Sequence, residues 1–392
     1  MENIVIVSAA RTPIGSFNGS LSSIPATQLG SIAIAAALKK VGLSGNEVGD
    51  VIMGNVLSAG LGQAPARQAG LGAGLPHSVG CTTVNKVCGS GLKAVMMAHQ
   101  AIALGDADIV VAGGMESMSN APYLLARARA GYRMGHGELV DSMIRDGLWD
   151  VYNQFHMGEA AELCAATLDI SREEQDQFAV TSYRRALEAQ ARGEFAREIA
   201  AVEVPERDNA NMIIEEDEEP KRAVLEKLPS LKPAFKAKGG VTAGNASSIS
   251  DGAAALVVMA EEKARAMGIK ARARILSHSS FATDPQWFTT APVSAISTLL
   301  KRTGREHSDI DLFEINEAFA VCSIAVNREL GLDPLKVNVR GGAVALGHPI
   351  GASGARILTT LVHALEDLNL QTGVASLCIG GGESVAMMVE RV

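Results

Sequence analysis

The chain has 392 residues, is 47% hydrophobic but only 4% aromatic, and carries a formal charge of −8. At roughly 150 residues per domain this is a globular chain of two or three domains, not a disordered one. The acidic balance argues against a nucleic-acid-binding face. Its first residues, Met1-Glu2-Asn3-Ile4-Val5-Ile6-Val7, have no basic segment and no long apolar stretch, so no signal peptide is expected. The longest uncharged run, residues 68–85, holds four Gly, a Pro and a His and does not read as a membrane span. Five Cys, at 81, 88, 164, 322 and 378, form no CxxC pair. They predict free thiols in a reducing, cytoplasmic compartment, with no zinc ribbon.

In chain order, Val/Ile-rich runs at 4–7, 51–53, 109–111, 256–259, 312–315, 374–378 and 385–389 predict buried strands. Between them lie helical patterns. Over residues 91–104, Leu92, Val95, Met96, His99, Ile102 and Ala103 share one face. Strands alternating with helices predict a layered α/β fold. The chain also repeats itself. Ala36-Ala37-Leu38-Lys39-Lys40 resembles Thr298-Leu299-Leu300-Lys301-Arg302, and Asp50-Val51-Ile52-Met53-Gly54-Asn55 parallels Asp311-Leu312-Phe313-Glu314-Ile315-Asn316. Ser90-Gly91 parallels Ser353-Gly354, and Gly113-Gly114-Met115-Glu116-Ser117 parallels Gly380-Gly381-Gly382-Glu383-Ser384. Ordered matches at nearly constant offset indicate a duplicated α/β unit. Residues from about 119 to 244 have no counterpart, and are read as an inserted loop domain forming a substrate wall.

Four segments carry candidate chemistry. In Asn85-Lys86-Val87-Cys88-Gly89-Ser90-Gly91, Cys88 stands where a strand-like run meets a helix; a helix start favours a thiolate, so a lowered pKa and a nucleophilic role are expected. The rival is a buried structural thiol. In Gly347-His348-Pro349-Ile350-Gly351, His348 lies in a loop before a helix, as a base or an oxyanion donor, or as a turn residue bonded to backbone. Cys378 ends a strand before Gly380-Gly381-Gly382; it reads as an exposed acid/base thiol or as a structural one. Asn316 ends another strand, where binding groups collect in α/β proteins; an Asx-turn cap is the alternative. The repeat lets all four converge on one crevice.

Taken with Ala9-Ala10-Arg11-Thr12-Pro13-Ile14-Gly15, Thr242-Ala243-Gly244-Asn245-Ala246-Ser247 and Asn316-Glu317-Ala318-Phe319, these motifs run end to end in an order that resembles the thiolase family, in its short-chain acetyl-CoA acetyltransferase branch. The resemblance implies two βαβαβαββ halves in an αβαβα arrangement. The N-terminal half would be 1–118 with 245–267, the coenzyme A-binding loop domain 119–244, and the C-terminal half 268–392. It implies Cys88 as acyl-accepting nucleophile, His348 as its activator, Cys378 as mover of the second proton, and Asn316, through a water, as oxyanion partner of His348. Backbone N–H groups of Cys88 and Gly380 would form a second oxyanion hole. His156 and Met157 would limit the acyl chain. Leu148, Phe235, Ala243, Gly244, Ser247, Ala318 and Phe319 would line the coenzyme A site, with Lys221 or Arg222 near its nucleotide.

The reaction implied is reversible condensation of two acetyl-CoA to acetoacetyl-CoA and CoA, by a ping-pong route, with no metal and no other cofactor. The expected partners are these thioesters and a second copy of the chain, as homodimer or homotetramer; no nucleic acid and no membrane are expected. A 3-ketoacyl-CoA thiolase of wider chain range is the alternative. A ketoacyl synthase would use two His where Asn316 and Cys378 stand. Glu159-Ala160-Ala161-Glu162-Leu163-Cys164 departs from the family's usual wording.

Overall fold

A computed structural model describes residues 3–205 and 211–392. Each run expected as a buried strand lies in one: β1 (Ile4–Arg11), β2 (Asp50–Gly54), β4 (Ile109–Ser117), β5 (Ser250–Ala260), β7 (Leu312–Ile315), β8 (Thr372–Ile379) and β9 (Glu383–Arg391). Two further long strands of the main sheet escaped the pattern. β3 (Gly80–Val84) is a half-exposed edge strand, and in β6 (Ala273–Ala282) Ser277, His278, Ser279 and Ser280 break up the apolar run. The main helices are α1 (Ala26–Lys40), α2 (Pro65–Gly72), α3 (Ser90–Leu104), α4 (Met157–Thr167), α5 (Arg172–Ala191), α6 (Ala291–Thr303), α7 (Ala320–Leu330) and α8 (Ser353–Asp367).

The strands run β3-β2-β4-β5-β1-β6-β9-β8-β7. Each half repeats one pairing scheme. β1 meets β5 antiparallel, β5 meets β4 antiparallel, and β4 meets β2 in parallel; β6, β9, β8 and β7 do the same. β2 continues in parallel to β3, where the other half has a single parallel bridge from Phe313 to Val337. Val5 with Arg274 and Ile6 with Ala273 stitch β1 to β6. The chain is therefore two βαβαβαββ units, the second with its third strand reduced to that bridge. α3 and α8 pack on each other between the two halves, while α1 and α6 cover the outer faces, which makes five layers.

α3 is central, so its burial is wider than one stripe. Leu92, Val95, Met96 and Ile102 are buried together with Ala94 and Ala98. His99 is half-buried, and Ala103 is exposed near the helix end, where Gly105 at φ +79° stops the helix. The window Val87–Leu104 is apolar enough to cross a membrane, but its apolar face is packed on α8 and the sheet.

The register corrects the fourth sequence match. β2 pairs Val51 with Val111, and β7 pairs Leu312 with Gly373. Five residues further along each strand, Glu116 stands level with Cys378, not with Glu383. Gly113 to Ser117 lie inside β4, whereas Gly380 to Gly382 form the turn between β8 and β9. The glycine-rich wording is shared; the position is not.

The insertion between Ser117 and Ser250 is fastened to the first half by charge. Arg11 is fully buried and meets Asp217 and Glu198, each at 2.6 Å. Glu218 accepts from Ser16 and Ser20. The acidic run 215–219 thus supplies a buried clamp, for breaking such a pair leaves a charge stranded.

Candidate active site

Cys88 sits in a strained turn. Val87, a β-branched residue, is held at φ +45°, and Asn85 Oδ1 accepts its N–H at 3.0 Å. Ser90 Oγ accepts from Lys86 N at 2.8 Å and donates to Val87 O at 2.6 Å. This turn holds Cys88 just ahead of α3, with N–H groups of Gly380 and of Cys88 itself directed at its sulfur. The expected low pKa is reversed. The residue is half-buried, but its thiol is enclosed; burial, then the neighbouring Cys378, push it up to about 12 against those two N–H groups. Cys88 also lies outside the helix, whose N-cap is Gly89, so the dipole acts weakly.

His348 follows Gly347, whose φ of +102° and whose approach to Ser250 leave no room for a side chain. The His348 N–H donates to Ser248 O at 3.1 Å. Its Nδ1 lies 2.6 Å from Ser353 Oγ, which is also 2.9 Å from Pro349 O. With its one proton on Pro349 O, the hydroxyl accepts from Nδ1–H; this network assigns the lone pair to Nε2. Nε2 is buried without a protein partner. Burial and the Arg356 guanidinium hold the imidazole down to about 3, so it is a neutral base at pH 7.

Asn316 keeps both amide atoms buried and unpartnered, which rules out the Asx-turn cap. A buried amide left unsatisfied is reserved for something other than folding. Cys378 is 1% exposed, not the exposed thiol expected from its Gly-rich turn. It packs in one cluster with Met157, Cys164 and Cys322, beside Cys88. Cys164, in the segment that departs from the usual wording, therefore faces the site's back wall. Its neighbour Glu162 accepts from Gly240 and Val241 N–H groups at 2.9 Å each and braces the insertion.

A cavity of about 550 Å³ opens onto Cys88, His348 and Gly380. Leu148, His156, Met157, Phe235, Ala243, Ser247, Ala318 and Phe319 line it, with Arg222. His156 stacks on Phe235 at 4.8 Å, and its Nδ1 accepts from Gly158 N, so the proton is on Nε2. Met157 Sδ lies against Gly380. Four expected residues are off the wall. Asn316 and Cys378 sit behind it; Gly244 packs toward Leu228 and Leu231; Lys221 turns out to Glu216. Among the described residues Arg222 is the one cation on the wall, and it pairs with Glu218 at 3.0 Å.

Ser16, Phe17, Ser248, Ile249 and Phe288 also line the cavity and were missed. Ser16 directly follows the 9–15 motif and Ser248 the 242–247 motif; the others have no local signal. Ser353 was visible as half of a repeat match, but not as the partner of His348. Together these groups suit acyl transfer to a thiol, followed by removal of a carbon-bound proton.

Residues 4–262 match the thiolase N-terminal domain, and residues 269–391 match the thiolase C-terminal domain. The chain is 56% identical to acetyl-CoA acetyltransferase 2 of Arabidopsis thaliana over 391 residues, which cover 99% of this chain and 97% of that one. Among solved structures, the Bacillus anthracis acetyl-CoA acetyltransferase superposes with a TM-score of 0.98 at 42% identity, covering 100% of this chain and 99% of its own. A thiolase from Ascaris suum in complex with coenzyme A superposes at 0.94 with 45% identity, and both chains are covered in full, 100% each.

Proposed function

The chain belongs to the thiolase family, and we propose that it works as an acetyl-CoA C-acetyltransferase, condensing two acetyl-CoA to acetoacetyl-CoA and coenzyme A and running the reverse thiolysis. The observation that carries this reading is the set of uncommitted groups around one cavity. These are the Cys88 thiol with two N–H groups aimed at it, the free Nε2 of His348 and the free amide of Asn316; the Cys378 thiol, in contact with Cys322, stands behind them.

The proton balance follows from the neutral resting state. As the Cys88 sulfur attacks acetyl-CoA, His348 Nε2 takes its proton. The oxygen of the tetrahedral intermediate gathers charge and is held by the N–H groups of Cys88 and Gly380. Coenzyme A leaves with a proton from Cys378. The imidazolium and the Cys378 thiolate are the state that the second step needs. The thiolate takes a methyl proton from the next acetyl-CoA, while His348 Nε2–H and, through a water, Asn316 stabilise the enolate oxygen. The carbanion attacks acetyl-Cys88, acetoacetyl-CoA departs, and Cys88 recovers its proton from His348.

The apolar wall of Leu148, Phe235, Ala243, Ala318 and Phe319 suits the pantetheine arm, and Arg222 suits a phosphate. His156 and Met157 suit a short acyl end. The free cysteines support a cytoplasmic location. The open edge of β3, with exposed Tyr123, Leu125, Met134 and Leu139 on the insertion, supports a homodimer or homotetramer. Initial-rate kinetics of thiolysis test the function. Parallel double-reciprocal lines for acetoacetyl-CoA and coenzyme A are expected; intersecting lines would remove the acyl-enzyme route.

A further inference from the structure

We infer that Glu116 is a positioning residue for this reaction: its carboxylate clamps the Gly351 peptide of the His348 loop to the turn after β2, and so fixes where His348 stands over Cys88. The inference rests on the acetyltransferase reading.

Glu116 is fully buried on β4, yet it touches no cation. Instead N–H donors converge on it from both halves of the chain. Oε1 accepts from Asn55 Nδ2 at 2.8 Å and from Leu57 N at 3.2 Å. Oε2 accepts from Val56 N at 3.0 Å and from Gly351 N at 2.9 Å. Only an ionised carboxylate, an acceptor at both oxygens, satisfies this set. The Gly351 peptide is a plug in a socket. Its carbonyl oxygen would lie 2.0 Å from a Cβ on Gly114 and 2.6 Å from one on Gly54, while a Cβ on Gly351 would lie 2.6 Å from Glu116 Oε2. Gly351 is three residues from His348, and the helix that follows begins at Ser353, the partner of Nδ1. A shift of this peptide therefore moves the imidazole and its hydroxyl partner together.

The pseudo-twofold makes this contact the twin of the catalytic one. Ser90 matches Ser353, so Cys88 matches Gly351; Glu116 stands level with Cys378. Cys88 of the first half reaches Cys378 of the second, and Gly351 of the second half reaches Glu116 of the first. One crossing does the chemistry, and the other holds it in register.

Burial pushes Glu116 up to about 7 against its hydrogen bonds, while His348 is held near 3 and Cys88 near 12. Among the described residues, the ionisable groups facing Glu116 are Asp251 from β5 and Cys88 from the turn before α3; the turn after β2 and the His348 loop present N–H donors. A protonated Glu116 brings a donor into a ring of donors. Activity should therefore fall as pH drops through about 7 although neither His348 nor Cys88 titrates there.

The test is thiolysis of acetoacetyl-CoA between pH 5.5 and 8.5 by wild type, Glu116→Gln and Glu116→Asp, with circular dichroism and melting to follow the fold. Glu116→Gln should lower kcat at least tenfold at pH 8 with KM within threefold, and its profile should lose the acid limb. Glu116→Asp should keep a limb and part of the activity. A folded Glu116→Gln with wild-type kcat and an unchanged limb overturns the inference, as does a change in Tm alone. If Glu116→Gln does not fold, the wild-type profile decides, since a kcat flat down to pH 5.5 also overturns it. A wild type without thiolase turnover would instead remove the functional reading itself.

Discussion

Asn55 and Asn316 end equivalent strands, β2 and β7, and their surroundings have diverged completely. Asn55 donates to Met115 O and to Glu116, and its turn is locked beneath the His348 loop. The Asn316 side chain donates to nothing and accepts nothing. One strand along, the first half has a carboxylate tied by N–H groups, and the second half has a thiol, Cys378. The paired serines diverge less. Ser90 and Ser353 both open a helix and both donate back to a carbonyl, but Ser90 accepts a backbone N–H while Ser353 meets an imidazole. Duplication supplied two copies of one framework. The copy whose strand-end amide and carboxylate are tied to neighbouring groups became scaffold, and the copy whose Asn316 side chain has a partner at neither atom became the reaction centre. Buried polar atoms without partners are costly; Asn55 leaves only its Oδ1 unpaired, whereas Asn316 leaves its whole side-chain amide unpaired, and that excess marks function.

The comparison can be broken by exchanging the fates of paired residues. The largest effect is expected at Cys378. Cys378→Ser should lower condensation by at least ~10²-fold, the scale for a lost acid/base group. Cys88 should still be found acetylated by intact-mass measurement; equal loss of both half-reactions would deny Cys378 a separate role. Asn316→Ala should lower kcat by ~10²-fold, in the range of a lost oxyanion partner, without lowering Tm, because no protein hydrogen bond is removed. Asn55→Ala should instead lose about 1–3 kcal/mol of stability, seen as a drop in Tm, because it strands buried groups. If both variants lose stability alike, the two halves are equally structural.

A smaller effect concerns chain length. With Met157 against Gly380 and His156 stacked on Phe235, a longer acyl group must displace packed side chains, at about 1–3 kcal/mol. Thiolysis kcat/KM should fall about tenfold or more from four- to eight-carbon ketoacyl-CoA, since 1.36 kcal/mol is tenfold. A flat or rising series would favour the wider 3-ketoacyl-CoA range. The smallest effect is on the free enzyme. Because burial raises the Cys88 thiol, its alkylation by iodoacetamide should climb steadily from pH 6 to 9; a plateau near neutrality would contradict the neutral resting pair.

Much of this was legible in the sequence, for physical reasons. Buried strands of two βαβαβαββ units are continuous apolar runs, so β1, β5 and β8 announce themselves. The catalytic segments carry turn chemistry, Gly beside Cys or His, that local reading detects. What failed was anything set by distance. The Cys88 pKa was read from a helix start, but enclosure by residues from the other half decides it. Cys378 was read as exposed from its neighbouring glycines, but α4 and α7 cover it with Cys164 and Cys322. Glu116 was read as one letter of a repeated motif aligned with Glu383. The strand register moves it level with Cys378, and only then does its relation to Gly351 emerge. Lys221 and Arg222 are adjacent in sequence, yet only Arg222 reaches the cavity.

The central claim is that acyl transfer passes through Cys88 while its register partners serve other steps. Peptide mapping by mass spectrometry after brief exposure to acetyl-CoA tests it most directly. One acetyl group on the peptide holding Cys88 is predicted, absent in Cys88→Ala and retained in Cys378→Ser. An acetyl group on Cys378, or free turnover with no acetylated cysteine, would contradict the account.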